Sequence, residues 1–301
     1  MSLFSDDTRI TGPDLEKPYD WQPRNNMLFN GNKFEMLQYE PNDELKNNTN
    51  YMTPNCEDFI EVKENLRDLG VMMSSKATFE DHINHVCAKV KQKCGWILRT
   101  FHSRDIHLMK FLWKSLVQAN IDYCSQLYSP IKASEIQQLE NLQRWYTKRI
   151  PAISNLNYWQ RLRALNMLSQ QRRMERYRII YSWKILEGLV PNCGLEEIQT
   201  GRRGRELKVP ALKGKQAIRS IREQSFQVKG PQLFNSLPKN IKNITKVSVE
   251  DFKAHLDKYL ENIPDEPSVD GLTPAACNPF SAAASNSILD QSRTVNRQPG
   301  S

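Results

Sequence analysis

The sequence predicts an α+β chain that is mostly α, and three observations carry that expectation. Between Thr78 and Pro151 three amphipathic helical patterns follow one another, each with its own start signal. Ahead of them, short apolar and β-branched runs alternate with Asn-, Pro- and Gly-containing turns, the mark of short strands. Behind them further helical periods run to Leu260, after which periodicity stops.

In chain order, Pro13, Pro18 and Pro23 stand too close together for a useful helix, so the first segment is irregular. A turn at Gly31 precedes a mixed run that predicts a strand over 33–39. Residues 41–50, rich in Asn, Asp, Glu and Pro, read as loop. Phe59, Ile60 and Val62 predict one more strand and Leu66 to Met73 another, together a small antiparallel sheet.

The first long helix starts with Thr78 as N-cap and Asp81 three residues on, facing the positive end of the helix dipole. It turns Phe79, Ile83, Val86, Val90, Cys94, Ile97 and Phe101 to one side. The second starts at Ser103 and carries Ile106, Met109, Trp113, Leu116, Val117, Asn120, Tyr123 and Leu127 inward until Ser129 and Pro130 stop it. The third opens with a capping box from Ser134 to Gln137, buries Ile136, Leu139, Leu142, Trp145 and Tyr146, and ends at Ile150 before Pro151. Short connections between such helices force antiparallel neighbours and a small bundle.

A fourth, shorter pattern opens at Ser154 and carries Trp159, Leu162, Leu165 and Leu168. The fifth opens at Ser169, runs through Met174, Tyr177, Ile180, Tyr181 and Ile185, and meets a C-terminal cap at Gly188. Gly201 to Arg205 form a basic loop that connects its neighbours or touches phosphate, connection being the favoured reading, and Ile218 to Val228 are helical. A last helix has Ser248 as N-cap, with Val249, Phe252, Leu256, Tyr259 and Leu260 as its stripe.

Composition narrows the function classes. Hydrophobic residues make up 39% of the chain, low for a core throughout, so part of it is disordered. Lys and Arg number 42 against 34 Asp and Glu, and the resulting +8 favours polyanionic partners. No run is apolar enough to span a membrane, and Met1 to Lys17 lacks a secretory signal, so the expected location is intracellular, nucleus or cytoplasm. The six cysteines form neither a CxxC pair nor a disulfide framework, which fits a reducing compartment. His82, His85 and Cys87 share a helix, but no second ligand pair follows at zinc spacing. No nucleophilic triad pattern or glycine-rich phosphate loop stands out.

One stretch is strongly basic. Arg144, Lys148, Arg149, Arg161, Arg163, Arg172, Arg173, Arg176, Arg178 and Lys184 face only Glu175 between 141 and 186, with Trp145, Tyr146, Tyr158, Trp159, Tyr177, Tyr181 and Trp183 interleaved. Two readings stand. The cations are the solvated faces of amphipathic helices whose aromatics form the core, or they make a groove that displaces counterions from phosphates.

Several short motifs, taken in order, resemble a known family. They are Phe4 to Asp7, Asn30 to Met36, Asp68 to Val71, Ser103 to Asp105, Asp122 to Ser125 and Tyr128 to Pro130, then Arg202 to Gly204, Phe226, Leu233 to Asn235, Leu237 with Pro238, Phe252 with Lys253, and Leu256 with Asp257. Their order and spacing resemble the C-terminal half of a reverse transcriptase from a non-LTR retrotransposon of the jockey kind, over residues 1 to 262. The resemblance implies a partial palm sheet over 1–73, a thumb-like bundle over 74–151 and a post-thumb helical region over 152–262, and the aperiodic composition from Ile263 on, dominated by Pro, Ser, Ala, Asn and Gln, predicts a disordered tail over 263–301.

In that family the box at Phe4 to Asp7 is the tip of a palm hairpin, which would make Asp6 a metal ligand and Asp7 its accessory neighbour. Two Mg²⁺ ions about 4 Å apart clamp the attacking oxygen and the leaving pyrophosphate, and such hard cations need several carboxylates. Lys33 resembles the palm lysine, and Leu69 with Gly70 the turn that grips the primer. The implied partner is an RNA/DNA template–primer duplex, held by Arg144, Lys148, Arg149, Arg172, Arg173 and Arg176, with dNTPs the only small-molecule substrates and no membrane partner.

The departures from the family bear on activity. Only Met1, Ser2 and Leu3 precede the box, so the fingers and the third metal-binding Asp are not in this sequence, and Ser5 replaces the usual Ala. The segment between Asp7 and Asn30 is also shorter than the family's. The expectation is therefore a remnant of an RNA-directed DNA polymerase, inactive alone, that binds Mg²⁺ only if the missing palm half is supplied and that keeps its hold on nucleic acid. The alternatives are a helical protein-interaction module and a functionless transposon relic.

Overall fold

The computed structural model describes residues 24–26, 34–39, 52, 59–128, 130, 132–200, 204–212, 214, 216–266 and 286–289. The chain divides into two units, 1–82 and 83–301. It is mostly helical with small sheets, as the sequence predicts.

The first unit contains the strands β1 (Glu35–Leu37), β2 (Glu61–Lys63), β3 (Asn65–Asp68) and β4 (Val71–Ser74). β1 pairs with β2 in parallel, Glu35 opposite Glu61, and the Lys63 ammonium pairs with the Glu35 carboxylate. This corrects the expected all-antiparallel sheet: the chain between 38 and 60 is long enough for the crossover that a parallel pair needs. The strand expected over Leu66 to Met73 is instead a hairpin of β3 and β4. Its turn residues Leu69 and Gly70 have φ of 45° and 86°, both left-handed, the twist that matches paired strands. Gly70 adopts it freely, whereas Leu69 does so against its own side chain.

Helix α1 (Glu80–Thr100) buries Ile83, Val86, Val90, Cys94 and Ile97, the stripe its spacing predicts. Helix α2 (Ile106–Leu112) begins two residues later than expected because Asp105, not Ser103, caps it: Asp105 Oδ2 accepts from His107 N and Leu108 N at 2.9 and 3.0 Å.

The helix then widens into a π segment (Trp113–Val117) before α3 (Gln118–Asp122) and, past a turn with Cys124 at φ 54°, α4 (Ser125–Tyr128). The extra residue per turn shifts every later position. Ile121, Ser125 and Tyr128 are consequently the buried residues, while Tyr123 and Leu127, expected inside, are 53% and 46% exposed. Asn120, the polar residue in the expected stripe, turns its amide back to Leu116 O and Val117 O at 2.9 and 3.2 Å.

Helix α5 (Ala133–Thr147) starts two residues earlier than Ser134 implies, because the Glu135 carboxylate reaches back to Lys132 N at 3.1 Å. It buries Glu135, Leu139, Glu140, Gln143, Tyr146 and Thr147, a largely polar face, while Ile136, Leu142 and Trp145 are only half-buried. After a 3-10 turn (Pro151–Ile153), α6 (Tyr158–Leu165) opens at Asn157, whose side chain accepts from Gln160 N at 2.9 Å, and not at Ser154.

Helix α7 (Gln170–Leu186) has the ends its sequence announces. Ser169 Oγ accepts from Arg172 N at 3.1 Å. At the other end Gly188 sits at φ 70°, with Gly188 N bonded to Ile185 O and Leu189 N to Lys184 O at 3.1 and 2.9 Å, closing the helix.

A hairpin of β5 (Glu197–Thr200) and β6 (Gly204–Leu207) follows, then α8 (Gln216–Gln224), α9 (Phe226–Asn235), α10 (Lys239–Lys242) and α11 (Val249–Leu260). The core here is made by Ile179, Ile180 and Trp183 of α7, Leu233 and Phe234 of α9, and Phe252, Leu256 and Leu260 of α11. Trp183 stacks on Phe252 with centroids 4.4 Å apart, and its Nε1 donates to Ile244 O at 2.8 Å. α9 approaches α7 closely at Gly230, where a Cβ would lie 2.9 Å from Ser182 Oγ and 3.0 Å from the Phe226 ring. Ser248 caps α11 as its sequence predicts, accepting from Asp251 N at 3.0 Å.

The expected disordered tail over 263–301 is corrected in part. Ile263 and Ile288 belong to this same core, and 286–289 are seated beside α7. Residues 267–285 and 290–301 lie outside the described residues. Among the described residues no helix is long and apolar enough to cross a membrane.

Candidate nucleic-acid interface

The basic residues of 141–186 separate into two populations, and the separation follows from where each helix turns its side chains. α7 is packed on several sides, so its arginines are enclosed and find carboxylates or carbonyls. Arg172 is fully buried; its Nη2 donates to Pro264 O at 2.6 Å, its Nη1 to Ile263 O at 3.4 Å, and Asp265 lies 3.9 Å from its Nε. Arg173 bonds both oxygens of Asp122 and also Tyr177 Oη. Arg176 forks onto Asp257, with Nη2 to Oδ2 at 2.7 Å. Arg178 is buried as well, and burial lowers its pKa to about 10, opposed by Glu175.

Arg161 is the same kind of group on α6. Its Nη1 donates to Leu156 O at 2.7 Å, its Nη2 to Arg144 O at 3.3 Å and its Nε to Thr147 Oγ1 at 3.2 Å, so it closes the C-terminus of α5 from the side. Arg163 is exposed and paired with Glu266. A buried guanidinium that already serves two carbonyls cannot reach a phosphate. Arg172 therefore leaves the expected binding set, and Arg173 and Arg176 are engaged with carboxylates of the fold.

The other population sits at the C-terminal end of α5. Arg149 lies over the Trp145 ring, 3.6 Å from its centroid, and donates to Trp145 O at 2.7 Å. Arg144 lies 4.8 Å from the Tyr158 centroid and bonds Asn141. Lys148 is exposed, with its ammonium 2.7 Å from Ser154 O. Among the described residues none of these three cations forms an ion pair with a carboxylate. Their contacts are with carbonyls and ring faces, which fix their positions and leave their charge uncompensated.

A second cationic group is absent from the expected set. Lys110 and Lys114 flank Phe111, which is 65% exposed, and burial together with the charges of Lys110 and Arg173 lowers the pKa of Lys114. Its signal in the sequence was the i, i+4 lysine pair on one side of the second helix.

The aromatics expected to interleave with the cations mostly serve the interior. Tyr146, Tyr158 and Trp183 are buried. Tyr158 donates to the Glu140 carboxylate, whose other oxygen accepts from Gln171 N at 3.1 Å. Burial, opposed by these bonds, pushes Glu140 up to about 7.

Beside it runs a chain of buried amides. Trp113 Nε1 donates to Gln118 Oε1 at 2.8 Å, Gln118 Nε2 to Gln170 Oε1 at 3.2 Å, and Gln143 Nε2 to Leu168 O at 3.1 Å, with Gln170 donating to Gln143. The Gln118–Gln170 and Gln170–Gln143 bonds tie separate helices together.

Leu69 and Gly70 form the tip of the β3–β4 hairpin, and the Leu69 side chain is exposed. Asp6, Asp7 and Lys33 lie outside the described residues, so the carboxylates expected to hold Mg²⁺ have no geometry here. Among the described residues no group of His, Cys, Asp or Glu is arranged to hold a metal ion. His82 is buried and accepts from Met72 N at 3.3 Å, while His85 is exposed, so the two imidazoles do not converge.

Comparison with known proteins adds one relative. The chain is similar to the uncharacterized protein B0403.1 of Caenorhabditis elegans, 29% identical over 115 residues. The similarity covers 37% of this chain and 58% of that protein, less than two thirds of its length. No protein-family description matches the chain, and no solved structure matches it.

Proposed function

We propose that the chain is a remnant of the C-terminal part of a non-LTR retrotransposon reverse transcriptase, and that it holds nucleic acid through its helical region without polymerising on its own. The observation that carries the binding half of this reading is the uncompensated charge of Arg144, Lys148 and Arg149 at one helix end. Cations without carboxylate partners keep their full attraction for phosphates, and release of condensed counterions then drives association with little sequence preference. The polymerase ancestry rests on the ordered motifs of the sequence.

In a primer-extension assay with Mg²⁺ and dNTPs, the full chain yields no extended primer. In a mobility-shift assay it retards an RNA/DNA hybrid at low salt and releases it as salt rises. Absence of any shift at low salt removes the binding reading.

A second reading, a helical protein-interaction module, is favoured by one observation: Phe111, Tyr123 and Leu127 are exposed on the α2–α4 segment at 65%, 53% and 46%. Hybrid binding that persists after all three are changed to Ser separates the two.

A further inference from the structure

Residues 286–289 are held in the fold as a bound peptide is held. Asn286 Nδ2 donates to Asp265 Oδ1 at 2.7 Å and to Ser169 Oγ at 3.3 Å. Ile288 N donates to Glu175 Oε2 at 2.7 Å. The Ile288 side chain is fully buried in the cluster that includes Phe252, Leu256 and Ile263. The Asn286 amide, the Ile288 N–H and the Ser287 side chain on Glu175, and the Ile288 and Leu289 side chains on the apolar cluster, make the contact.

The receiving side is assembled from bonds that do not involve this segment. Ser169 N and Oγ both bond Asp265 at 2.7 Å, Ser169 Oγ caps α7 through Arg172 N, and Arg172 holds the carbonyls of Ile263 and Pro264. If 286–289 leave, these bonds remain, and Glu175 gains water in place of Ile288 N and the Ser287 side chain.

The fit is also imperfect in a telling way. Asn286 Oδ1 is buried with no hydrogen-bond partner among the described residues, an acceptor that water satisfies in the undocked state. Nineteen residues, 267–285, separate Glu266 from Asn286 along the chain.

We infer that the groove between α7 and residues 263–266 is a peptide-recognition site for an Asn-x-Ile motif, filled reversibly in this chain by its own residues 286–289. The asparagine is read by Asp265 and Ser169, the isoleucine amide by Glu175, and the isoleucine side chain by the apolar cluster. The tethered copy acts as a built-in competitor.

The test uses the full chain carrying Ile288→Glu and a fluorescein-labelled peptide with the sequence of residues 284–291, followed by anisotropy. The variant keeps a cooperative melt and binds the peptide at least tenfold tighter than the unaltered chain, and a peptide with Asn286→Ala binds at least tenfold more weakly than the parent peptide. A folded variant that does not bind the peptide overturns the inference, and so does loss of the cooperative melt, which makes 286–289 an obligatory part of the core. Hydrogen exchange on the unaltered chain gives a second reading: the Ile288 amide exchanges at least a hundredfold faster than the central amides of α7, and equal protection of the two overturns the inference.

Discussion

Arg173 grips Asp122 with both arms of its guanidinium, Nε 2.9 Å from Oδ1 and Nη2 2.7 Å from Oδ2, joining α7 to the end of α3. The same carboxylate accepts from Gln118 Nε2 at 2.9 Å and from Tyr177 Oη at 3.1 Å. The pair is partly exposed, 27% and 19%, so its charge is screened to some degree, but its geometry is bidentate. Asp122→Ala leaves Arg173 beside Lys114 with no opposing carboxylate, and the expected loss is about 1–3 kcal/mol in a urea melt. An unchanged urea midpoint contradicts this account of the pair.

Arg172 distinguishes structural cations from binding ones. Arg172→Met keeps much of the volume but removes the donors that hold Ile263 O and Pro264 O. The expected result is a loss of about 2–4 kcal/mol in stability, with hybrid affinity per folded molecule unchanged. A variant of normal stability and weakened hybrid binding places Arg172 in the interface and contradicts its burial.

Gly230 is fixed by proximity. Ser182 Oγ, which an added Cβ would meet at 2.9 Å, is itself held by Arg178 O at 2.9 Å and cannot swing away without losing that bond. Gly230→Ala is therefore expected to destabilise by about 1–3 kcal/mol, against the usual helix preference for Ala, with thermal melting as the readout.

Glu140 sets a pH dependence with a definite sign. Its folded pKa of about 7 lies above its ordinary 4.5, so between those values the folded chain holds a proton that the unfolded chain has released. This contribution to stability is fully present below about pH 4.5 and is lost as pH rises through about 7. Glu140→Gln, which cannot ionise, should lose about 2–3 kcal/mol less than the unaltered chain between pH 5 and pH 8 in urea melts. Equal losses in the two proteins contradict the shifted carboxyl.

What the sequence made legible is what its neighbours along the chain decide. Ser169, Gly188 and Ser248 cap helices through residues three to five positions away, and all three sit where their sequences place them. The α1 stripe is likewise a local period. The second helix misled because five π-helical residues move the register, and no hydrophobic pattern encodes that widening. α5 misled for another reason: its inner face carries Glu140, Gln143 and Thr147, which bond polar groups on other elements, beside Glu135, which caps its own helix, and an apolar period cannot see them.

The basic stretch shows the same limit most sharply. The partners of Arg172, Arg173 and Arg176 are Asp265, Asp122 and Asp257, which lie far away in sequence, so a local count of charges reports an excess where the fold has balance. At Arg144, Lys148 and Arg149, close together at the end of α5, the excess survives folding.

The central claim is that those three cations hold a nucleic-acid backbone, and the measurement that tests it most directly is the salt dependence of hybrid binding by the full chain and by its Arg144→Ala, Lys148→Ala, Arg149→Ala variant. Each phosphate contact adds about one to the slope of log K against log salt concentration. The account predicts a folded variant whose slope is smaller by about 2–3 and whose affinity falls across all sequences alike. A folded variant with the slope and affinity of the unaltered chain contradicts it.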